Sequence, residues 1–388
     1  MPSYTKLKQG NWQVTISLGF NEDGKRIRCK KQGFRTKADA EAYASDLLTK
    51  KNKGYTQPLT NNILFKDFLE DWFINYKKPS LSITTYYNYR SRIDTHILPN
   101  LGNYKLKDIS NITVQNFYNK LIIGGLSASS AKKVMEILTG CFKYAKKNKL
   151  IYTIPTDIEK QKLEKPIVEF WNQDEIDYYL NSIKENYLFT PVLITLLTGI
   201  RVAELCGLRW LNVDLDNRVI HIREQVIQDK ENKILIHTNI LKTSKSYRSI
   251  TIPKILRDYL HEIYKSTSPK KESFVILDRE GHMCNPRNIS MNFTKNIEKY
   301  KYTLEEYEEK YPNRNSNNYK QLKQICFHGL RHTHATILIK NGENIKVVSD
   351  RLGHENITTT LQSYTHIMEE MKNNTADLLD TIFKNTML

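Results

Sequence analysis

Two short polar stretches, each carrying a proline, divide this chain into segments whose hydrophobic patterns cannot share one core. They are KKNKGYTQPLTNN (50–62) and IEKQKLEKPIVEF (158–170). Proline and clustered polar residues interrupt regular structure. A chain of 388 residues also exceeds what a single core usually holds. The expectation is a multidomain α+β protein with segments at 1–58, 61–158 and 168–388.

The first segment alternates. WQVTISLGF (12–20) switches apolar and polar residues as a half-buried strand does. NEDG then turns the chain, and KRIRCKKQGF (25–34) reads as a second strand with a basic face. TKADAEAYASDLL reads as a helix with Thr36 as its N-cap. The middle segment has helical spacing throughout, with breaks expected at KKPS and LPNLG, and Lys, Arg and Tyr interleaved. Such interleaving suits contact with a nucleic-acid backbone; a bundle with tyrosines in its core reads the same way. The last segment opens with helices (NQDEIDYYLNSI, FTPVLITLLTGIRVAELCGL). It passes through short strands (RVIHIRE, KILIHTNI, RSITIP) and closes with helices. Residues 302–324 are polar, acid-rich at their start, and read as an excursion from the fold.

A net charge of +17 points to a polyanionic partner, and nucleic acid is the commonest. Residues 1–60 hold 12 Lys/Arg against 5 Asp/Glu. On the second strand, Lys25, Arg26, Arg28 and Lys30 form a basic face that fits a DNA major groove or simply solvent. No apolar run approaches the roughly 18 residues of a membrane span, and MPSYTKLKQGNWQ has no signal-peptide core. Five scattered cysteines without a CxxC pair fit a reducing cytoplasm.

Four short stretches carry candidate chemistry. In LLTGIRVAEL, Arg201 lies near a helix N-terminus that already favours an anion; pairing with Glu204 on the surface is the plainer alternative. In LKTSKSYRSITIP, flanking strands put Lys242 near a hairpin tip, with Lys245 and Arg248 close enough to substitute for it. A solubilising basic turn is equally open. In FHGLRHTHAT (327–336), His328 and Arg331 share a helix face, as do Arg331 and His334, while His332 points elsewhere. An arginine fork suits phosphate oxygens, and histidine moves protons near neutral pH. A metal reading would pair His328 with His332, but HExxH glutamate is missing, no nearby carboxylate completes a tetrahedral set, and Arg331 would repel a cation. In LGHENITTTLQSYTHIM, His354 follows a helix end and Tyr364 comes ten residues later; one tyrosine among 23 is no signal alone.

Taken in order, TGIRVAEL, LKTSKSYRSITIP, HGLRHTHAT and LGHENITTTLQSYTHI resemble the active-site boxes of the tyrosine recombinases, the phage-integrase family. The N-terminal layout is similar to integrases of phages and integrative conjugative elements. The resemblance implies a three-stranded arm-type DNA-binding domain, a helical SAM-like core-binding domain, and a mainly helical catalytic domain with a small antiparallel sheet. It implies Arg201, Lys242, His328, Arg331, His354 and Tyr364 as catalytic residues, with Glu204 supporting Arg201. Lys25, Arg26, Arg28, Lys30, Lys245 and Arg248 are the expected DNA contacts. Tyr364 would attack a DNA phosphate, giving a 3′-phosphotyrosine and a free 5′-hydroxyl in a reaction that needs neither ATP nor water. Arg201 and Arg331 would balance the growing charge, Lys242 would protonate the leaving oxygen, and His328 would serve Tyr364 as acid and base. No metal or cofactor is expected. The implied partners are double-stranded DNA with core and arm sites and three further copies of the chain in a tetramer, with an excisionase and a DNA-bending protein as accessory factors. MEEMKNNTADLLDTIFKN, after Tyr364, is expected to dock on a neighbouring catalytic domain. A type IB topoisomerase, a host dimer-resolving recombinase, a non-catalytic DNA-binding regulator and a metal nuclease are the competing readings.

Overall fold

The computed structural model describes residues 2–20, 26–52, 63–162, 169–241, 244–312, 319–358, 360–361, 363–365 and 380. The chain divides into two units, Met1–Lys165 and Pro166–Leu388.

Unit one begins with an antiparallel sheet of β1 (Ser3–Lys6), β2 (Trp12–Phe20) and β3 (Arg26–Phe34), in that order. The alternation along β2 sends Val14 and Ile16 inward, against Ala40, Ala44 and Leu47 of α1 (Lys37–Asn52). Alanines four apart let the helix approach the sheet closely. Thr36 caps α1: its hydroxyl accepts from the Asp39 amide at 3.1 Å, and the Asp39 carboxylate accepts from the Thr36 amide at 3.1 Å. The other sheet face carries Arg26, Arg28 and Lys30, all exposed; Lys25 lies outside the described residues.

The same unit continues as helices: α2 (Phe65–Asp71), α3 (Ile83–Arg92), α4 (Leu98–Leu101), α5 (Asn111–Ile123) and α6 (Ala128–Lys147). Ala131, Val134, Met135, Leu138, Cys141, Phe142 and Ala145 of α6 recur at helical spacing and are buried. They meet Phe65, Trp72, Phe73 and Ile97 in one core. The expected break at KKPS is a short turn of 3-10 helix. At LPNLG the helix passes Pro99 and stops at Leu101, with Gly102 as its C-cap, so the expected break falls at the glycine. Wider π-type turns over Ile93–Ile97 lead into α4, so Pro99 falls in a first turn, where its missing N–H costs little. The tyrosines divide between roles: Tyr118 is buried, Tyr86 and Tyr89 stack on Phe73, and Tyr76 and Tyr104 face solvent.

Unit two contains α7 (Gln173–Ser182), α8 (Phe189–Thr198), α9 (Val202–Cys206), β4 (Val213–Asp214), β5 (Val219–Ile222), β6 (Gln225–Asp229), β7 (Ile234–Thr238), β8 (Arg248–Thr251), α10 (Lys254–Thr267), α11 (Pro286–Glu298), α12 (Leu304–Lys310), α13 (Phe327–Lys340) and α14 (Ile345–Leu352). One sheet has the order β4-β5-β8; β6 and β7 form a separate hairpin. This corrects the expectation for Lys242. The strands on either side of LKTSKS pair with different partners, so the segment joins two sheets and is not a hairpin tip. Lys242 itself lies outside the described residues. The 302–324 stretch is also better anchored than expected: Tyr307 is buried and stacks on Tyr319, with ring centroids 3.9 Å apart. Leu322 is buried, and the Lys323 carbonyl accepts from the Trp171 indole. All five cysteines are free thiols. No described helix is long and apolar enough to cross a membrane.

Candidate active site

Two helix ends build the floor of the site. α8 is apolar on nearly every face because it runs through the core, and it stops at Gly199, whose φ of 67° suits glycine. A side chain there would also collide: an added Cβ would lie 2.7 Å from the His334 ring. Two residues later Arg201 opens α9. Its guanidinium reaches Glu204 at 2.7 Å and the Gly353 carbonyl at 3.0 Å.

Glu204 is 3 % exposed and holds a second arginine. Arg248 donates to both its carboxylate oxygens, at 2.8 and 3.2 Å, and to the carbonyls of Arg351 and Ser246. Burial opposes ionisation of Glu204, but Arg248 and then Arg201 outweigh it and hold the carboxyl below its ordinary range. Arg248 was expected to touch DNA or to substitute for Lys242. With a side chain 6 % exposed, it does neither; it is an internal strut. Lys245 is exposed and caps the Glu355 carbonyl at 2.9 Å.

α13 supplies the centre. Arg331 is buried, and its fork is fixed by the carbonyls of Gly199 and Leu352, both at 2.7 Å. Two of its five N–H donors are thereby committed, which sets the direction of the others. Burial, then Arg201 and Arg248, pull its pKa down to about 9. Three arginines thus surround one carboxylate, leaving an excess of positive charge that favours an anion. His334, three residues from Arg331 and expected on the same helix face, is structural. It is buried, donates through Nδ1 to the Leu196 carbonyl at 2.7 Å, and accepts through Nε2 from Arg351 at 3.1 Å. Arg351 also donates to the carbonyls of Leu197 and Thr251, so two cationic or dipolar groups close the C-terminal end of α8.

The two remaining histidines of α13 stand ring to ring, centroids 5.0 Å apart and nearly perpendicular. His328 reaches solvent, whereas His332 is half-buried. Contrary to the expectation that His332 points elsewhere, its Nδ1 lies 3.0 Å from the Tyr364 hydroxyl. The i, i+3 rule identified His328 and Arg331 as neighbours but could not show which histidine faces a tyrosine thirty-two residues on. Tyr364 is 2 % exposed; burial raises its pKa well above that of free tyrosine, partly offset by Arg331. His354 comes from the turn after α14, fixed by Thr360 at 2.7 Å. Gly353, just before it, has a φ of 67°, and an added Cβ would lie 2.9 Å from the Lys245 carbonyl. Thr360 and Arg351 were not singled out in the sequence, and His332 was weighed there only as a metal ligand, since their roles depend on partners far away in the chain. The tail after Thr365, apart from Asp380, lies outside the described residues.

Lost hydration in the crowded site leads, followed by the neighbouring arginines and histidines, in pushing His354 and His328 down to about 4, although one side of His328 stays open to solvent. Burial, with Arg351, pushes His334 down to about 3. All three values fall below the ordinary 6.5 or so of histidine. Above pH ~6.5 these groups are neutral both folded and unfolded. Below it the unfolded chain takes up protons first, so stability falls as pH drops from about 6.5 toward 4. The melting temperature of the protein is expected to decline through this window, and more gently in His334→Gln. A melting temperature flat from pH 7 to 4.5 would contradict the assignment.

Among the described residues, the side chains grouped closely enough to ligate a cation are Asp278, Glu280 and His282, all exposed. No histidine of α13 belongs to that group, nor does Cys326, which precedes His328 by two residues.

The family model described as phage integrase family matches residues 164–371. A phage integrase N-terminal SAM-like domain matches 64–122, and an arm DNA-binding domain matches 2–51. A tyrosine recombinase XerC-like protein of Caldanaerobacter subterraneus subsp. tengcongensis is 27 % identical, over 98 % of both chains. The ICEBs1 integrase of Bacillus subtilis is 25 % identical over 98 % of this chain and all of its own. Among solved structures, Tn1549 transposon integrase bound to transposon right-end DNA covers 80 % of this chain and 99 % of its own, with a TM-score of 0.66 and 18 % identity. A lambda integrase tetramer bound to a Holliday junction covers 93 % and 94 %, with a TM-score of 0.56 and 17 % identity.

Proposed function

Because the chain belongs to the phage integrase family of tyrosine recombinases, we propose that it integrates and excises a mobile element by cutting and rejoining DNA through Tyr364. The observation that carries this reading is the meeting of Arg201, Arg331, His354 and Tyr364, from segments up to 163 residues apart, in one electropositive cluster. A phosphodiester fits the charge excess there. Arg201 and the free donors of Arg331 hold the non-bridging oxygens and gain strength as charge builds in the transition state. His354 hydrogen-bonds a phosphate oxygen, and His328, exposed beside Arg331, does the same. Lys242 protonates the departing 5′-oxygen. The free 5′-hydroxyl of another strand then attacks the phosphotyrosine, so bond energy is conserved through the exchange.

Residues 1–58 serve as the arm-site reader, with Arg26, Arg28 and Lys30 on its open sheet face toward DNA; 61–158 and 168–388 grip the core site. Four copies act together on two duplexes, in the cytoplasm, with an excisionase and a DNA-bending protein directing the outcome. Relatives solved on transposon DNA and as a tetramer on a Holliday junction support this reading.

Arginines do here what metals do in many phosphoryl transfers, so covalent capture of a nicked DNA duplex is expected to proceed unchanged in EDTA. The duplex would be drawn from the DNA flanking the gene. Two such duplexes should yield recombinant strands. Loss of capture in EDTA would favour a metal nuclease. Relaxation of supercoils without strand exchange between duplexes would favour topoisomerase chemistry.

A further inference from the structure

The histidine nearest the candidate nucleophile is not among the catalytic residues that the resemblance implies. We propose that His332, rather than His328, takes the phenolic proton of Tyr364 as the tyrosine attacks the scissile phosphate. This inference rests on the recombinase reading above.

His332 Nδ1 is 3.0 Å from the Tyr364 hydroxyl oxygen, within direct proton-transfer reach. His328 instead stands edge-on against the His332 ring. His332 also follows Arg331 directly on α13, a helix whose Leu330, Arg331, Thr333, His334, Ala335 and Thr336 are all buried. Base and phosphate clamp therefore ride on one rigid element, and their spacing cannot drift independently.

Arg331 and His328 face His332 from its own helix, the Tyr364 phenol faces it from the segment after α14, and His354 lies close enough to interact with it electrostatically. Burial, then Arg331, hold His332 below the ordinary histidine range, so it waits unprotonated. A DNA phosphate on Arg201 and Arg331 cancels much of that repulsion. Basicity at Nδ1 would then rise when substrate arrives and not before, which keeps the tyrosine neutral in free protein.

The step balances. The Tyr364 O–H bond breaks and its proton passes to His332 Nδ1. The Tyr364 O–P bond forms as the P–O5′ bond breaks, and the 5′-oxygen takes a proton from Lys242. Religation runs in reverse, with His332 returning the proton to the tyrosine.

The test is the rate of adduct formation on a nicked duplex carrying either oxygen or sulfur at the scissile 5′-bridging position. His332→Asn keeps a hydrogen-bond acceptor near the Nδ1 position but is not basic, and His332→Gln is the second variant should the first fail to fold. The expected result is a loss of about 10²–10⁴-fold, with DNA binding retained and no rescue by sulfur, whose thiolate leaves without a proton. Lys242→Ala should be rescued by sulfur. The wild-type rate should fall at acid pH as a histidine protonates, and that acid limb should vanish in the variant. A variant within threefold of wild type would overturn the proposal while leaving the recombinase reading intact. Rescue by sulfur would also overturn it, by moving His332 to the leaving group. Failure of the wild type itself to form an adduct on DNA that it binds would overturn both.

Discussion

Tyr364→Phe is expected to abolish covalent capture of DNA while leaving the protein folded and bound to its site. The substitution removes one oxygen from a side chain that is 2 % exposed, and with it the 3.0 Å hydrogen bond to His332. A net loss of about 1 kcal/mol is the scale for one such bond, so the fold survives. A denaturing gel after incubation with a nicked duplex should show the adduct with wild type and none with the variant, while retardation on a native gel is retained. An adduct that survives the substitution would mean a different nucleophile and would undo the reading of α13 as its partner.

Glu204→Ala is expected to cost about 3–5 kcal/mol, the scale for removing one partner of a buried ion pair. Glu204 is 3 % exposed and receives both Arg201 and Arg248. Without it Arg248, 6 % exposed, is left buried with no counter-charge. For a unit of this size that corresponds to a drop of roughly 6–20 °C in melting temperature. Adduct formation should fall as well, because the Arg201 fork loses one of the two anchors that aim it. Glu204→Gln keeps the hydrogen-bonding shape without the charge and should lie between. Denaturant unfolding of the three proteins measures this; a loss under 1 kcal/mol in Glu204→Ala would show that the carboxylate is not the hub of the two arginines.

Much of the architecture was legible because periodicity reports local burial. The alternation in WQVTISLGF and the Thr36 cap led to β2 and α1, and the apolar run FTPVLITLLT led to α8. What local pattern could not report was pairing. β6 follows β5 almost at once and has mixed composition, so it was missed, and with it the fact that β7 folds back on β6 and leaves β8 to β5. The break expected at LPNLG falls at Gly102 and not at Pro99, because a run of wider turns before the proline, which leaves no mark in composition, carries the helix past it. β1 was anticipated from resemblance alone, since SYTK is too short to show a period.

The site divides in the same way. Arg201, His328, Arg331, His354 and Tyr364 were recognisable as a set because their boxes occur in a fixed order. Within that set the sequence could not tell which cations face an anion and which are struts. Arg248 looks as available as Lys245 when read as RSITIP, yet it is buried on Glu204 forty-four residues earlier. His334 and His332 flank one threonine, and one supports the end of α8 while the other meets the nucleophile. Those differences arise from the rotation of α13 against α8 and the post-α14 turn, which is tertiary information.

The most direct test of the central claim is to digest the wild-type protein–DNA adduct with protease and nuclease and locate the modified residue by mass spectrometry. A single modified peptide is expected, with the nucleotide joined through a 3′-phosphate to the oxygen of Tyr364. A nucleotide on any other side chain, or a 5′-phosphate linkage, would contradict it.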